Sequence, residues 1–430
     1  MNHTKLKLVL LIGIISAQVC FSQEEGKSNS SKPPVFPAII PVDKPTDRSI
    51  STAMHRLYDH WGIYEDRENE LFSNFGYSEV SGFNSPKGLS VSRRDPSKIL
   101  LINGKYYVWY TKRETKSPPT GSNRSHLASD VIPSADWDLA EIWYATSKDG
   151  YEWKEEGVAV PRPPKGELGW RSVSTPDVLA YKGKYYLYYQ AFNKMPYSGE
   201  GDRAPASVSI ADSPDGPWKA HGKIVVDFGA KGEWDEGAIH DPYPLVYNGK
   251  IYIYYKGGPY KMILHDGTGH FRIGQGVAIS ESPLGPFEKH PLNPVLNSGH
   301  ETGLFPFKGG VAAFVSINGP EKNTIQYAPD GVNFEIASLV VAPPIAVGPY
   351  IPNAFADDGN GRGITWGLAH TSTSYRGVTH GQGVSNENML IRFDCDLSLD
   401  VNDPEFKRHD FRFRTRTLLE EFPVPSSRKK

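Results

Sequence analysis

The sequence predicts an all-β chain, a five-bladed β-propeller with a short N-terminal helical segment. Short apolar runs alternate with turn residues, and the 42 Gly and 35 Pro of the 430 residues are scattered without a period, which is the pattern of many short strands. One hairpin signature recurs along the chain, and a second falls between its copies. A β-sandwich would also show many strands, but not two signatures in strict alternation.

Residues 1–22 read as a secretory signal: Lys5 and Lys7 supply the positive start, Leu8 to Ile15 the apolar stretch, and Cys20-Phe21-Ser22 the exit. This implies a secreted or periplasmic protein. Cleavage removes Cys20 and leaves Cys395 alone, so no internal disulfide is expected. Loss of Lys5 and Lys7 takes the formal charge from −2 to −4, which leaves no basic footprint for nucleic acid and suits a neutral substrate. No later stretch is long and apolar enough to span a membrane.

Residues 23–48, rich in Ser, Lys and Pro, read as a disordered linker. The segment 49–70 opens with a Ser-capped helix that places Ile50, Ala53, Met54 and Leu57 on one stripe. The propeller is expected over 71–400, and 401–430 as a strap and solvated tail.

The first signature is a strand, a Gly turn and an aromatic strand. It runs from Asp95 through Asn103-Gly104 to Tyr110, from Thr175 through Lys182-Gly183 to Tyr189, and from Asp241 through Asn248-Gly249 to Tyr255. A degenerate copy runs from Glu301 through Lys308-Gly309 to Phe314, and a weaker one starts near Ile351. These are the inner hairpins. The second signature is an apolar strand, a Gly turn and an aromatic: Asp149-Gly150 with Trp153, Asp215-Gly216 with Trp218, Leu284-Gly285 with Phe287, and Asp330-Gly331 with Phe334. Each aromatic is placed to pack under the next blade. Inner and outer hairpins together make four-stranded blades starting near 95, 175, 241, 301 and 351.

Innermost strands start at the central channel of a propeller, so equivalent first positions converge there. Those positions are Asp95, Thr175, Asp241, Glu301 and, approximately, Ile351. Asp-Pro taken alone is an ordinary turn cap. Three acids converging on one pocket raise one another's pKa, an arrangement that structure does not require and that glycosidic hydrolysis uses. His240 and His300 each precede one of the acids and stand within reach of a substrate as donor or hydrogen-bond partner. Among the aromatics, Trp137 is placed in a loop, suited to stack on a sugar face. No His/Cys/Asp run has tight metal-ligand spacing, so no cofactor is expected to be required, although the axial channel leaves a place for a structural divalent cation.

Arg94-Asp95-Pro96, Thr175-Pro176-Asp177, His240-Asp241-Pro242 and His300-Glu301 together resemble the five-bladed glycosidases, most closely glycoside hydrolase family 117 and more distantly family 43. The similarity spans about residues 49–400 and includes Ser51-Thr52-Ala53-Met54-His55-Arg56, which matches the family's Ser-x-Ala-x-x-Arg helix. That resemblance implies an inverting, exo-acting α-1,3-(3,6-anhydro)-L-galactosidase of agar fragments, with no nucleic-acid or membrane partner, and a homodimer that exchanges the helical segment. It implies Asp95 as general base, Asp241 as pKa tuner, and either His300 or Glu301 as the acid. Thr175, Asp177, Trp137, His240 and Arg94 are then expected against the sugar. Another red-algal galactan, an arabinofuranosidase- or xylosidase-like activity, and a non-catalytic glycan-binding propeller are the competing expectations.

Overall fold

A computed structural model of the chain describes residues 34–59, 71–198, 202–259, 273–352, 354–355, 363–372 and 387–398. The expected signal, the first part of the linker, the second half of the helical segment and the C-terminal strap and tail lie outside these residues.

Five separate sheets form the body. Blade 1 contains β2 (Ser90–Arg94), β3 (Leu100–Ile102), β4 (Lys105–Thr115), β5 (Glu141–Ser147) and β6 (Trp153–Val160). Both β2 and β3 pair with β4, so together they form one inner strand interrupted at Asp95. Blade 2 is β7 (Ser172–Tyr181), β8 (Lys184–Phe192), β9 (Ala206–Ala211) and β10 (Lys219–Val226), and blade 3 is β11 (Ala238–Tyr247), β12 (Lys250–Gly258), β13 (Gly274–Ser280) and β14 (Glu288–Lys289). Blade 4 is β15 (Leu304–Phe307), β16 (Gly310–Val315), β17 (Thr324–Ala328) and β18 (Glu335–Leu339). Blade 5 combines β19 (Gly348–Pro349), β20 (Gly363–Ser372) and β21 (Asn388–Ser398) with β1 (Gly76–Glu79), which pairs antiparallel with β21 and joins the two ends of the chain in one sheet.

Four inner hairpins close through the turns their sequences demand. Asn103-Gly104, Lys182-Gly183, Asn248-Gly249 and Lys308-Gly309 all have two successive positive φ values, 44–51° and then 72–76°, as a type I′ turn requires. The outer-hairpin aromatics lock the blades, but three of them pack on the preceding blade rather than under the next. Trp218 meets Trp109 of blade 1 edge to face at 5.7 Å, Phe287 meets Tyr188 of blade 2 at 6.4 Å, and Phe334 meets Tyr254 of blade 3 at 6.2 Å. Trp109, Tyr188 and Tyr254 occupy one repeat position, so the same T-shaped contact, worth about 0.5–1.5 kcal/mol beyond its buried area, recurs at three blade junctions.

Helix α1 (Thr52–Asp59) carries the expected stripe, with Ala53 and Met54 buried. Ser51 caps it, its Oγ accepting the Met54 N–H at 3.3 Å. The buried Arg56 guanidinium pairs with Glu321 and donates to Gln326 and the Phe334 carbonyl, docking the helix on blade 4. Part of the expected linker is ordered: Phe36 is buried beside Trp234, whose N–H it accepts, and Ala38 donates to Gly232. An aromatic in a Pro-rich run found a groove on blade 3, which composition alone does not register. Among the described residues no helix is long and apolar enough to cross a membrane.

Candidate active site

The axial cavity, about 30 Å³, is lined by one dipeptide from every blade: Asp95-Pro96, Thr175-Pro176, Asp241-Pro242, Glu301-Thr302 and Ala346-Val347. The first residue of each pair has φ between 49° and 54°, a left-handed conformation costing on the order of 1–3 kcal/mol for a non-glycine residue. This kink breaks the strand between β2 and β3, bulges β7 and β11 internally and precedes β15 and β19, and it turns each side chain toward the cavity. Four of the five positions agree with the aligned repeats. The fifth is Ala346 rather than Ile351: blade 5 begins at β19, and Ile351, 4% exposed, lies in the core. Blade 5 lacks the motif spacing of the others, so alignment by pattern slipped by five residues.

The kinks are held by a second ring of side chains. Asp95 N–H donates to His370 Nδ1 at 3.1 Å, Thr175 N–H to Thr111 Oγ1 at 2.7 Å, and Asp241 N–H to Gln190 Oε1 at 3.2 Å. Thr111, Gln190 and His370 stand at equivalent points of β4, β8 and β20, opposite the strand starts; Lys256 on β12 is the blade 3 counterpart. Reading each copy to the end of its aromatic strand, Tyr110-Thr111, Tyr189-Gln190, Tyr255-Lys256, would have revealed this ring.

The carboxyls have unlike surroundings. Asp95 Oδ2 accepts from Arg94 Nε at 2.8 Å and from the hydroxyls of Thr111 and Thr175. Its Oδ1 lies buried 3.3 Å from His370 Nδ1, which accepts the Asp95 N–H, and has no hydrogen-bond partner among the described residues. Burial opposes its ionisation, but the Arg94 guanidinium outweighs it and holds Asp95 far below the usual carboxylate range. Asp241 is likewise lowered against burial, chiefly by Lys256 Nζ at 2.9 Å, and its Oδ2 accepts the Glu301 N–H at 3.1 Å. Glu301 shifts the other way. Burial and the negative charge of Asp95 raise it, more than Arg94 lowers it.

Arg94 bridges the first and third of these acids, donating Nε to Asp95 and a terminal nitrogen to Glu301 Oε1. Its other terminal nitrogen points at Asp136 Oδ2, 3.6 Å away, and the guanidinium lies 5.1 Å from the Trp137 ring. Trp137 is half-buried at the rim, edge to face with Tyr197.

Two of the expected contacts are engaged by other groups of the protein. His240 is 4% exposed and spends Nε2 on the Asp202 carbonyl at 2.6 Å, and burial lowers its pKa to about 4, so it is a neutral wall residue tying down the 202 loop. Asp177 lines the cavity floor, but Lys98 takes up its carboxylate through both backbone and ammonium. Lys98 is fully buried, also bonded to the Pro244 carbonyl at 2.9 Å and 3.6 Å from the Tyr243 ring centre. His300 keeps 31% of its side chain exposed. The Asn318 amide holds its Nδ1 at 2.8 Å, leaving Nε2–H directed at Glu301 Oε1, 4.0 Å away. Burial and Lys256 lower its pKa to about 3.

Asp95, Glu301 and His370 offer ligand atoms within 4.8 Å of one another, the one such cluster among the described residues. The positive charge lying on its two carboxylates is the Arg94 guanidinium.

A propeller whose axial pocket gathers an ionised, half-unpaired carboxylate, a second carboxyl pushed toward protonation, and a third that anchors it has the machinery of a glycoside hydrolase. The family model described as glycosyl hydrolases family 43 matches residues 89–273. Zg3597, a family 117 glycoside hydrolase produced by the marine bacterium Zobellia galactanivorans, is 55% identical in sequence, with a TM-score of 0.70 over 83% of this chain and 100% of that one. The chain belongs to glycoside hydrolase family 117. It is also 28% identical over 200 residues to an extracellular endo-α-(1→5)-L-arabinanase 2 of Bacillus subtilis (strain 168), covering 43% of this chain and spanning 38% of the length of that curated relative. A further glycoside hydrolase, at 13% identity and a TM-score of 0.50, shares the fold.

Proposed function

We propose that the protein is an exo-acting, inverting hydrolase that releases terminal 3,6-anhydro-L-galactose from short neoagaro-oligosaccharides. The observation that carries the chemistry is the split between Asp95, ionised with a buried Oδ1 that has no hydrogen-bond partner among the described residues, and Glu301, raised above the usual carboxylate range. Asp95 Oδ1 takes a proton from water, the water oxygen attacks the anomeric carbon, the glycosidic C–O bond breaks, and the leaving oxygen receives its proton from Glu301. Glu301 suits the acid role better than His300: an imidazole with a pKa near 3 carries no surplus proton at neutral pH, and its Nε2–H is placed to steady Glu301. Asp241, fixed by Lys256 and bonded to the Glu301 N–H, positions the acid. Trp137, Arg94 and Thr175 line the approach to the sugar.

The specific sugar rests on the family membership. Incubation with neoagarobiose and neoagarotetraose, with the product anomer followed by NMR, tests it. Release of anhydrogalactose of inverted configuration is the expected result. No release from either, with turnover of a porphyran or carrageenan oligosaccharide in the same screen, would replace this substrate with another red-algal galactan.

The same reading includes export to the periplasm or medium, no requirement for a metal cofactor, and a homodimer formed through the N-terminal helical segment. Chelation is expected to leave turnover unchanged, because Arg94 already neutralises the paired carboxylates. Light scattering on the mature chain tests the dimer; a monomer at micromolar concentration would contradict it.

A further inference from the structure

Asp95 and Glu301 each present an oxygen within 4.8 Å of the other, and the group that bonds both is Arg94. The two acids do not depend on it equally. Asp95 Oδ2 keeps two hydroxyl donors without Arg94, from Thr111 and Thr175. The Glu301 carboxylate has Arg94 as its near cation, with His370 Nε2 3.8 Å from Oε2 and His300 Nε2 4.0 Å from Oε1. A second acceptor is already in place for the guanidinium: Asp136 Oδ2, 3.6 Å from Arg94, held by the Ser92 hydroxyl at 2.9 Å and by the Asn388 amide. Trp137 offers a face along which the guanidinium can turn.

We propose that Arg94 is a displaceable counterion: in the empty pocket it clasps Asp95 and Glu301, and the entering sugar shifts it from Glu301 to Asp136, which lets Glu301 take up the proton it must deliver. This rests on the assignment of Asp95 and Glu301 as the hydrolytic pair. Arg94 is therefore a positioning residue. Its release turns a neutralised carboxylate into a general acid only when substrate is present. The charged and titratable groups facing Glu301 are Arg94, Asp95, Asp241, His300 and His370, with Lys256 behind Asp241; of these, Arg94 alone has a second carboxylate waiting.

The pH dependence of kcat/KM reports the free enzyme and that of kcat the substrate complex, so the two profiles separate the clasped and released states. The wild-type alkaline limb of kcat is expected at least one pH unit above that of kcat/KM, about tenfold in the ratio at fixed alkaline pH. Arg94→Met should raise the kcat/KM limb to meet the kcat limb, which stays in place. Asp136→Asn, which removes the receiving charge but keeps its shape, should lower the kcat limb toward that of kcat/KM. Coincident wild-type limbs, or equal movement of both limbs in Arg94→Met, would overturn the proposal. Infrared difference spectra of the substrate-free protein against Glu301→Gln follow the Glu301 carboxyl without any glycan, and this band should titrate at least one pH unit higher in Arg94→Met. No shift there overturns the clasp itself, whereas a shift without turnover on neoagaro-oligosaccharides faults only the substrate assignment.

Discussion

The backbone N–H of Asp95, in the first blade, donates to Nδ1 of His370, in the last, at 3.1 Å. This bond holds Asp95, the proposed base, in its left-handed kink. His370→Ala strands a buried N–H, at a cost of about 1–3 kcal/mol, and frees the kink to relax. A loss of about ten- to hundredfold in kcat is expected from the misaimed base, with little change in KM. His370→Asn, whose amide oxygen can accept the same N–H, should recover part of it; equal losses in both variants would show that the bond is not what matters.

Neutralising the base separates hydrolysis from mere binding. Asp95→Asn keeps the shape of the pocket and removes the proton acceptor, so turnover should fall by about 10²–10⁴-fold while calorimetry shows oligosaccharide still bound. A wild-type protein that binds glycan and never turns it over would instead be a binding propeller.

The acid can be identified through the leaving group. An aryl glycoside whose phenol leaves without a proton should be cleaved by Glu301→Gln nearly as fast as by wild type, whereas the natural oligosaccharide is not. His300→Gln should slow both substrates alike, because it disturbs how Glu301 is held. The opposite pattern would give the acid role to His300.

His240 ties stability to pH. Its pKa is about 4 in the folded protein against about 6.5 for a free imidazole, so between these values the unfolded chain binds more protons and stability falls as pH drops. The contribution is fully present above about pH 6.5 and lost toward pH 4, on the order of a few kcal/mol for a side chain so buried. Denaturant midpoints should fall over this window in wild type and fall less in His240→Gln.

Lys98 and Asp177 form a buried ion pair at the cavity floor, in which burial lowers the lysine to about 8 and raises the aspartate. Asp177→Asn leaves the ammonium without a countercharge and should cost about 3–5 kcal/mol, while Lys98→Met combined with Asp177→Leu should cost much less. Chemical denaturation measures both. A small loss in the single variant would point to Asp177 acting on substrate rather than on the fold.

The propeller was legible because its determinants are local and repeated. Each Asn-Gly or Lys-Gly turn dictates a hairpin by itself, each outer aromatic needs a partner on the adjacent blade, and repetition of both defines blades and their number. The same alignment identified Asp95, Thr175, Asp241 and Glu301 as one ring, since equivalent strand starts must face the axis. Where repetition failed, at Ala346, so did the reading.

Charge state and proximity were decided elsewhere. Nothing in the local sequence says that Arg94 reaches Glu301 across 207 residues, that His370 caps Asp95, or that Lys98 rather than a sugar claims Asp177. Those pairings depend on how five blades close around one axis. A carboxyl's pKa is set by burial and by the charges a few ångströms away, quantities that exist only once the ring is closed. Sequence alone determined which acids meet; tertiary structure decided which way the pKa of each is shifted.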